Sequence, residues 1–205
     1  MDGDHGADWP AGGLDELLRQ AWRSEPEAGF QPGRVRFAIT TRVIRVRAVL
    51  EDRDIYNGAA GFNQPVFQMG DAFEMFFRPA GQAAYLELHV GPGNQQFQLR
   101  IPSAERFAAR RGEPEAWREW LLPAPPCFTS QVRVEPGRWE VEAQVPVEAI
   151  AVAPVRAGDR WLYSFSRYDY TRGQAQPVLS SSSLHRERNF HRQQEWGEWI
   201  VPPDL

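Results

Sequence analysis

Gly70–Arg78, GDAFEMFFR, is the stretch whose reading decides the fold. Strand side chains alternate between faces, so Ala72, Glu74 and Phe76 share one side and Phe73, Met75 and Phe77 the other. Three large apolar side chains on one side mark a surface that faces a core. A lone carboxylate, Glu74, between apolar neighbours on the other side is costly in a core and useful in a binding surface.

The residues that follow repeat this alternation. Pro79–Gly81 reads as a turn, and Ala83–Val90 sets Leu86, Leu88 and Val90 against Tyr85, Glu87 and His89. Gly91–Gly93 turns the chain again, and Gln95–Ile101 sets Phe97, Leu99 and Ile101 against Gln96, Gln98 and Arg100. Consecutive pairing predicts one face carrying Glu74, Phe76, Tyr85, Glu87, His89, Gln96, Gln98 and Arg100, with an apolar face opposite. The mixed face has two readings: a ligand-binding surface, or the ordinary wet side of an antiparallel sheet.

Upstream lies Asp52–Met69, a long loop with Tyr56, Phe62, Asn63, Gln64 and Phe67. Loops of this length in a compact domain tend to be functional. Phe62 and Phe67 either serve a ligand or fold the loop back onto the body. Before it, Arg34–Thr40 and Val43–Glu51 alternate and read as a hairpin closed at Thr41–Arg42. Leu14, Leu17, Leu18, Ala21 and Trp22 recur at helical spacing, which predicts one short helix over Leu14–Arg23. Residues 1–13, rich in Gly and Asp, read as a flexible N-terminus, and residues 14–205 as one domain.

Downstream, Ser103–Leu122 predicts short helical turns anchored by Trp117 and Trp120. Phe128–Val134 and Trp139–Val145 read as a hairpin turned at Pro136–Gly137. Pro146–Ile150 suits a helical turn, and Arg160–Tyr168 is another strand. Thr171–Arg192 is a second long polar loop with four consecutive serines, and Glu195–Val201 is a closing strand anchored by Trp196 and Trp199. The result is an all-β, antiparallel β-sandwich of roughly nine or ten short strands with long loops.

Composition narrows the function classes. With 205 residues the chain can bury a sizeable core. A net charge of −4 and a pI of about 5.6 give no reason to expect nucleic acid or an anionic membrane as partner. All the basic residues are Arg, and Cys127 is the one cysteine, so no internal disulfide forms. No stretch is apolar enough for a membrane span, and the N-terminus lacks the basic and apolar regions of a signal peptide. The compartment and the oligomeric state are left open. GxGxxG, GxxxxGKS, HExxH and GxSxG are absent, and the four histidines are scattered, so neither a nucleophile nor a zinc site is signalled. A glycosidase needs two carboxylates across a cleft; Glu74 and Glu87 on paired strands would instead be neighbours.

Six elements occur in order: Asp52 after an alternating strand, GDAFEMFF, YLELHVGP, WEVEAQVP, GDRWLYSFSRYD and NFHRQQEWGEWIV. Over residues 20–202 this set resembles the family 9 carbohydrate-binding modules and the wider DOMON-type sandwiches. The resemblance implies a non-catalytic sandwich that takes a mono- or oligosaccharide between two aromatic side chains, with hydroxyls bonded from adjoining strands. It allows structural calcium and implies no other cofactor. Carried over, the sugar-bonding carboxylate falls on Glu74, and polar positions of the next strand fall near Tyr85, Glu87 and His89. The clamping Trp position falls near Gln68, where Phe67 or Phe62 stands in. The late loop that should supply the second clamp has no Trp or Tyr; Tyr168 and Tyr170 precede it. Arg100 and Arg167 are candidate partners for the carboxylates, and His191 and Gly197 match the terminal pattern in structural roles, His191 bonding backbone. Two other readings stand beside sugar binding. One is a sandwich turned interaction domain, motivated by Gln68. The other is a haem-binding DOMON-type cytochrome using Met69 with His89 or His191.

Overall fold

The computed structural model describes residues 13–203. The expected flexible terminus lies outside them except for Gly13. The described chain forms two antiparallel sheets packed face to face. The strands are β1 (Leu14–Leu18), β2 (Gly33–Ile39), β3 (Val43–Glu51), β4 (Ala72–Pro79), β5 (Tyr85–Val90) and β6 (Gln96–Ile101). They continue as β7 (Thr129–Glu135), β8 (Arg138–Pro146), β9 (Arg160–Asp169), β10 (Val178–Ser181) and β11 (Gly197–Ile200). The first sheet has the order β1-β2-β3-β8-β7. The second runs β10-β9-β4-β5-β6, with β11 also paired to β9. Two short helices, α1 (Val66–Met69) and α2 (Ala104–Arg110), interrupt the strands.

The central strand behaves as its alternation predicts. Phe73, Met75 and Phe77 enter the core between the sheets, with Ile44, Val46 and Leu50 of β3, Trp139 and Val141 of β8, and Phe165 of β9. Ala72 and Phe76 belong to a second apolar cluster, on the outer face of the second sheet. That outer face is not wet. Phe97, Leu99, Ile101, Trp120, Phe190 and Trp196 cover it, and every residue of β5 is buried.

Two expectations are corrected. The segment predicted as a helix from Leu14 is a strand: β1 pairs with β2 from Leu14↔Phe37 to Leu18↔Gly33. A solitary helix of about ten residues is marginal in water, whereas β2 offers an open sheet edge whose amides need partners. Trp22 does pack, against Phe190. The second correction concerns β6, which pairs with β5 as Tyr85↔Ile101, Glu87↔Leu99 and His89↔Phe97. Its apolar residues therefore share the face of Glu87 and His89. Gln96, Gln98 and Arg100 lie with Val90, Leu88 and Leu86 on the opposite side. A one-residue change of register exchanges the two faces of a strand. Here α2 and the following turn cover β6 from outside and need an apolar surface there.

Gly70 joins α1 to β4 with φ 144°. A side chain there would run into the backbone of Tyr56 and Asn57, where the long loop bridges back to the strand. The loop is thereby pinned beside the outer face of β4, which sets Phe67 over that face.

Candidate functional site

The carboxylates of β4 and β5 meet on this outer face. Glu74 and His89 are direct cross-strand partners, and Glu87 stands two residues along β5 on the same side. His89 Nε2 is 2.7 Å from Glu87 Oε1 and 3.4 Å from Glu74 Oε1, and all three residues are buried. The three donor atoms lie within 4.8 Å of one another. Two carboxyl groups so close cannot both ionise cheaply in a dry site. Burial, and then the charge of Glu87, drives the Glu74 carboxyl well above its ordinary range. Burial also works against ionised Glu87, but His191 and His89 outweigh it and leave this carboxyl lowered. The two neighbouring carboxyls are thus shifted in opposite directions.

Above this pair is a cavity of about 260 Å³. Glu74 and Glu87 form its floor, and Phe67, Tyr168 and Phe190 line its sides. Phe67 is T-shaped against His89, with centroids 5.4 Å apart. Residues 103–122 supply the far wall. Ser103 caps α2 by accepting the Arg106 amide, and the chain then folds back along β6 until Leu121 bridges Leu99. This return places Phe107 and Trp117 in the cavity wall. His191 closes the enclosure: its ring stacks on Phe107 at 3.4 Å between centroids, and its Nδ1 shares a 2.8 Å hydrogen bond with the Tyr85 hydroxyl. Burial lowers His191 to about 4 against the opposing pull of Glu87. Exposed Arg111 and Arg188 stand at the mouth.

Of the residues singled out from sequence, Glu74, Glu87, Phe67 and Tyr168 come together at this cavity; His89, wholly buried, bonds the floor carboxylates without lining it, and Tyr85 supports it through His191. Three do not. Arg100 faces the other side of the sheet, where it reaches the Ile150 carbonyl. Phe62 is exposed beside residues 93–96, away from the cavity. Arg167 pairs across from Phe73 and so points between the sheets. It is wholly buried there, with its guanidinium 2.9 Å from Asp52 and 3.4 Å from Asp169 and donating to the Glu51 carbonyl.

Asp52, Asp71 and Asp169 form a second cluster of oxygens around this arginine. It does not suit the calcium the resemblance allowed. Asp71 accepts the Tyr56 and Tyr170 amides, Asp52 accepts from Asp54 and the Trp139 indole, and Arg167 already supplies the positive charge.

Sequence reasoning missed Phe107, Trp117 and Phe190 as cavity residues and gave His191 a backbone partner. In the structure His191 bonds the Tyr85 side chain instead. The signal for the wall was present: ERFAARR carries an aromatic on a short helix directly after β6. Nothing in that stretch says which sheet face the helix will cover. The late loop supplies its aromatic as Phe190. Its serine run is an internal hydroxyl network, Ser181 with Ser166 and Ser183 with Ser164. For the haem reading, His89 Nε2 is already engaged by two carboxylates, and Met69 packs with the outer apolar cluster.

No family model matches the sequence, and no curated protein matches it. Solved structures do. A candidate carbohydrate-binding protein from Bacteroides uniformis superposes with a TM-score of 0.69 at 16% identity, over 92% of this chain and 86% of that one. A family 9 carbohydrate-binding module from Caldicellulosiruptor kristjanssonii in complex with cellotriose gives 0.62 at 14% identity, over 94% and 84%. The same organism's family 9 module in complex with glucose gives 0.60 at 13%, over 87% and 81%. At these identities the likeness is one of fold: the chain has the sandwich architecture of the family 9 modules.

Proposed function

We propose that this protein is a non-catalytic carbohydrate-binding module that takes a saccharide end or a monosaccharide into the cavity over β4 and β5. One observation carries the reading: an aromatic-walled cavity of about 260 Å³ with Glu74 and Glu87 on its floor. Sugar rings offer C–H faces to aromatic side chains and hydroxyls to carboxylates, and charge-assisted hydrogen bonds are roughly twice as strong as neutral ones. Phe67, Tyr168 and Phe107 supply the first kind of surface and Glu87 the second. The solved neighbours that hold glucose and cellotriose support the ligand class.

The floor argues against hydrolysis. Retaining glycosidases hold their carboxyl groups about 5–5.5 Å apart across the bond, and inverting ones about 6.5–9.5 Å. Glu74 and Glu87 share one imidazole nitrogen from the same sheet face, with oxygens inside 4.8 Å. They meet at one nitrogen and do not face each other across a cleft.

Titration calorimetry against a panel of mono- and disaccharides, beginning with glucose and cellobiose, tests the reading. Saturable heat with at least one sugar is expected, falling more than about tenfold in affinity in Glu87→Ala, which removes a charged hydrogen-bond partner. Folded protein that gives no heat with any sugar overturns it.

A further inference from the structure

Two carboxylates on the cavity floor converge on one buried imidazole nitrogen. We infer that Glu74, Glu87 and His89 form a binding site for a divalent transition metal of the zinc type. Glu74 Oε1 and Glu87 Oε1 both approach the same nitrogen, His89 Nε2, at 3.4 and 2.7 Å. Donors bound to zinc at about 2.0–2.2 Å are separated by a little over 3 Å in a tetrahedral site. The first separation already matches, and the second needs only to open when the shared proton leaves.

A second observation concerns the oxygen of Glu87 that the triangle does not use. Glu87 Oε2 is buried, faces the cavity and accepts no hydrogen bond. His191 Nε2 lies 3.8 Å from it. The Tyr85 hydroxyl is bound to the far side of the same ring at Nδ1. When Nδ1–H donates to that hydroxyl, Nε2 is left unprotonated on the side of Glu87.

Charge agrees. Among the described residues no Arg forms an ion pair with Glu74 or Glu87, whose pairs are to His89 and His191; the arginines lining the cavity include exposed Arg111 and Arg188. One dication neutralises both carboxylates where imidazole and a proton otherwise must. Mixed oxygen and imidazole ligands favour zinc, iron, cobalt or manganese over calcium, which takes six to eight oxygens. The cavity side of the ion would be left to water or to ligand hydroxyls.

The test uses the full chain, stripped with chelator and dialysed. Zn2+ titration in competition with a chromophoric chelator should give one tight equivalent, and Co2+ should give the visible absorption of a low-coordinate site. His89→Ala and Glu87→Gln should each weaken Zn2+ at least about 100-fold, while the surface variant Glu142→Gln should bind as the parent does. Far-ultraviolet circular dichroism identifies any variant that fails to fold. Should both site variants unfold, Glu74→Gln replaces them, with at least about tenfold weaker Zn2+ expected. The inference is overturned by the absence of a cobalt spectrum and a stoichiometric endpoint, or by parent-like Zn2+ affinity in the folded site variants. Repeating the sugar titrations with and without Zn2+ separates it from the saccharide reading: sugar heat without metal binding refutes only the metal, and metal binding without sugar heat refutes only the sugar.

Discussion

The rings of Phe107 and His191 lie face to face, 3.4 Å between centroids and 20° from parallel. One belongs to α2 and the other to the loop before β11, segments far apart in sequence that meet over the carboxylates of β4 and β5. The contact makes an enclosure out of what would otherwise be an open sheet face.

Removing that roof should affect ligand more than fold. Phe107 is only half-buried and α2 buries no residue fully. Phe107→Ala should cost about 1 kcal/mol of stability from the apolar area lost. Affinity for whichever sugar binds should drop about three- to tenfold, the worth of one aromatic contact. Parallel calorimetry and urea melts check the split. A variant that melts much earlier yet binds as tightly would contradict it.

The buried ion cluster between the sheets should be the most sensitive point of the molecule. Arg167 is wholly buried and holds Asp52 and Asp169. Arg167→Met leaves three carboxyl groups close together without a cation. Breaking a buried pair on one side costs about 3–5 kcal/mol, a large share of a domain's stability. Loss of the cooperative thermal transition, or a steep drop in its midpoint, is the expected result. A midpoint within about 2 °C of the parent would show that the cluster carries little, since 1 kcal/mol moves it about 2–4 °C in a domain of this size.

Asp71 gives a signed pH dependence. Burial first, and the Asp52 charge second, raise its carboxyl to about 8; the Tyr56 and Tyr170 amides pull it down without cancelling those effects. A raised carboxyl holds its proton more tightly in the folded chain. Its contribution is therefore complete below its ordinary 3.8 and is lost as pH climbs towards 8. Asp169, raised by burial to about 6, acts in the same sense over a lower range. His191, lowered by burial from 6.5 to about 4, acts oppositely: its contribution is present above 6.5 and lost as pH falls through that window. Between pH 6.5 and 8 the difference between parent and Asp71→Asn isolates Asp71. The parent's urea midpoint should fall more steeply there. The variant should start lower by about 1 kcal/mol, because its NH2 group would face one of the two backbone amides that donate to the Asp71 oxygens. Parallel curves would sink the assignment.

Gly70→Ala should destabilise by about 1–3 kcal/mol, because φ 144° belongs to a region essentially reserved for glycine. The new methyl also meets the Tyr56 carbonyl and Asn57. Since Gly70 pins the loop that carries Phe67, sugar affinity should fall with stability in this variant, unlike Phe107→Ala. Urea melts and calorimetry on the same preparation decide it, and unchanged affinity in a destabilised protein would separate the loop from the site.

What could be read from the chain alone followed from period-two alternation. GDAFEMFFR and YLELHV each assign their own faces without reference to anything else, so Glu74, Glu87 and His89 were legible as one group, and the sandwich with them. Leu14–Leu18 was misread because helical spacing in a short segment is weak beside an open sheet edge that only the folded molecule presents. Arg100 was misplaced because alternation tells which residues of β6 share a side, but pairing with β5 decides which side that is.

Arg167 and Tyr168 make the same point within one strand: neighbours in sequence, they serve opposite faces, one an ion cluster and the other the cavity. The strand content, the alternating faces and the carboxylates at the centre were determined by the sequence itself, because these depend on local backbone geometry. The roof of Phe107 and His191, the register of β6 and the burial that raises the Glu74 carboxyl were decided only by tertiary structure. Each of these depends on what a distant segment covers, and local geometry carries no information about that.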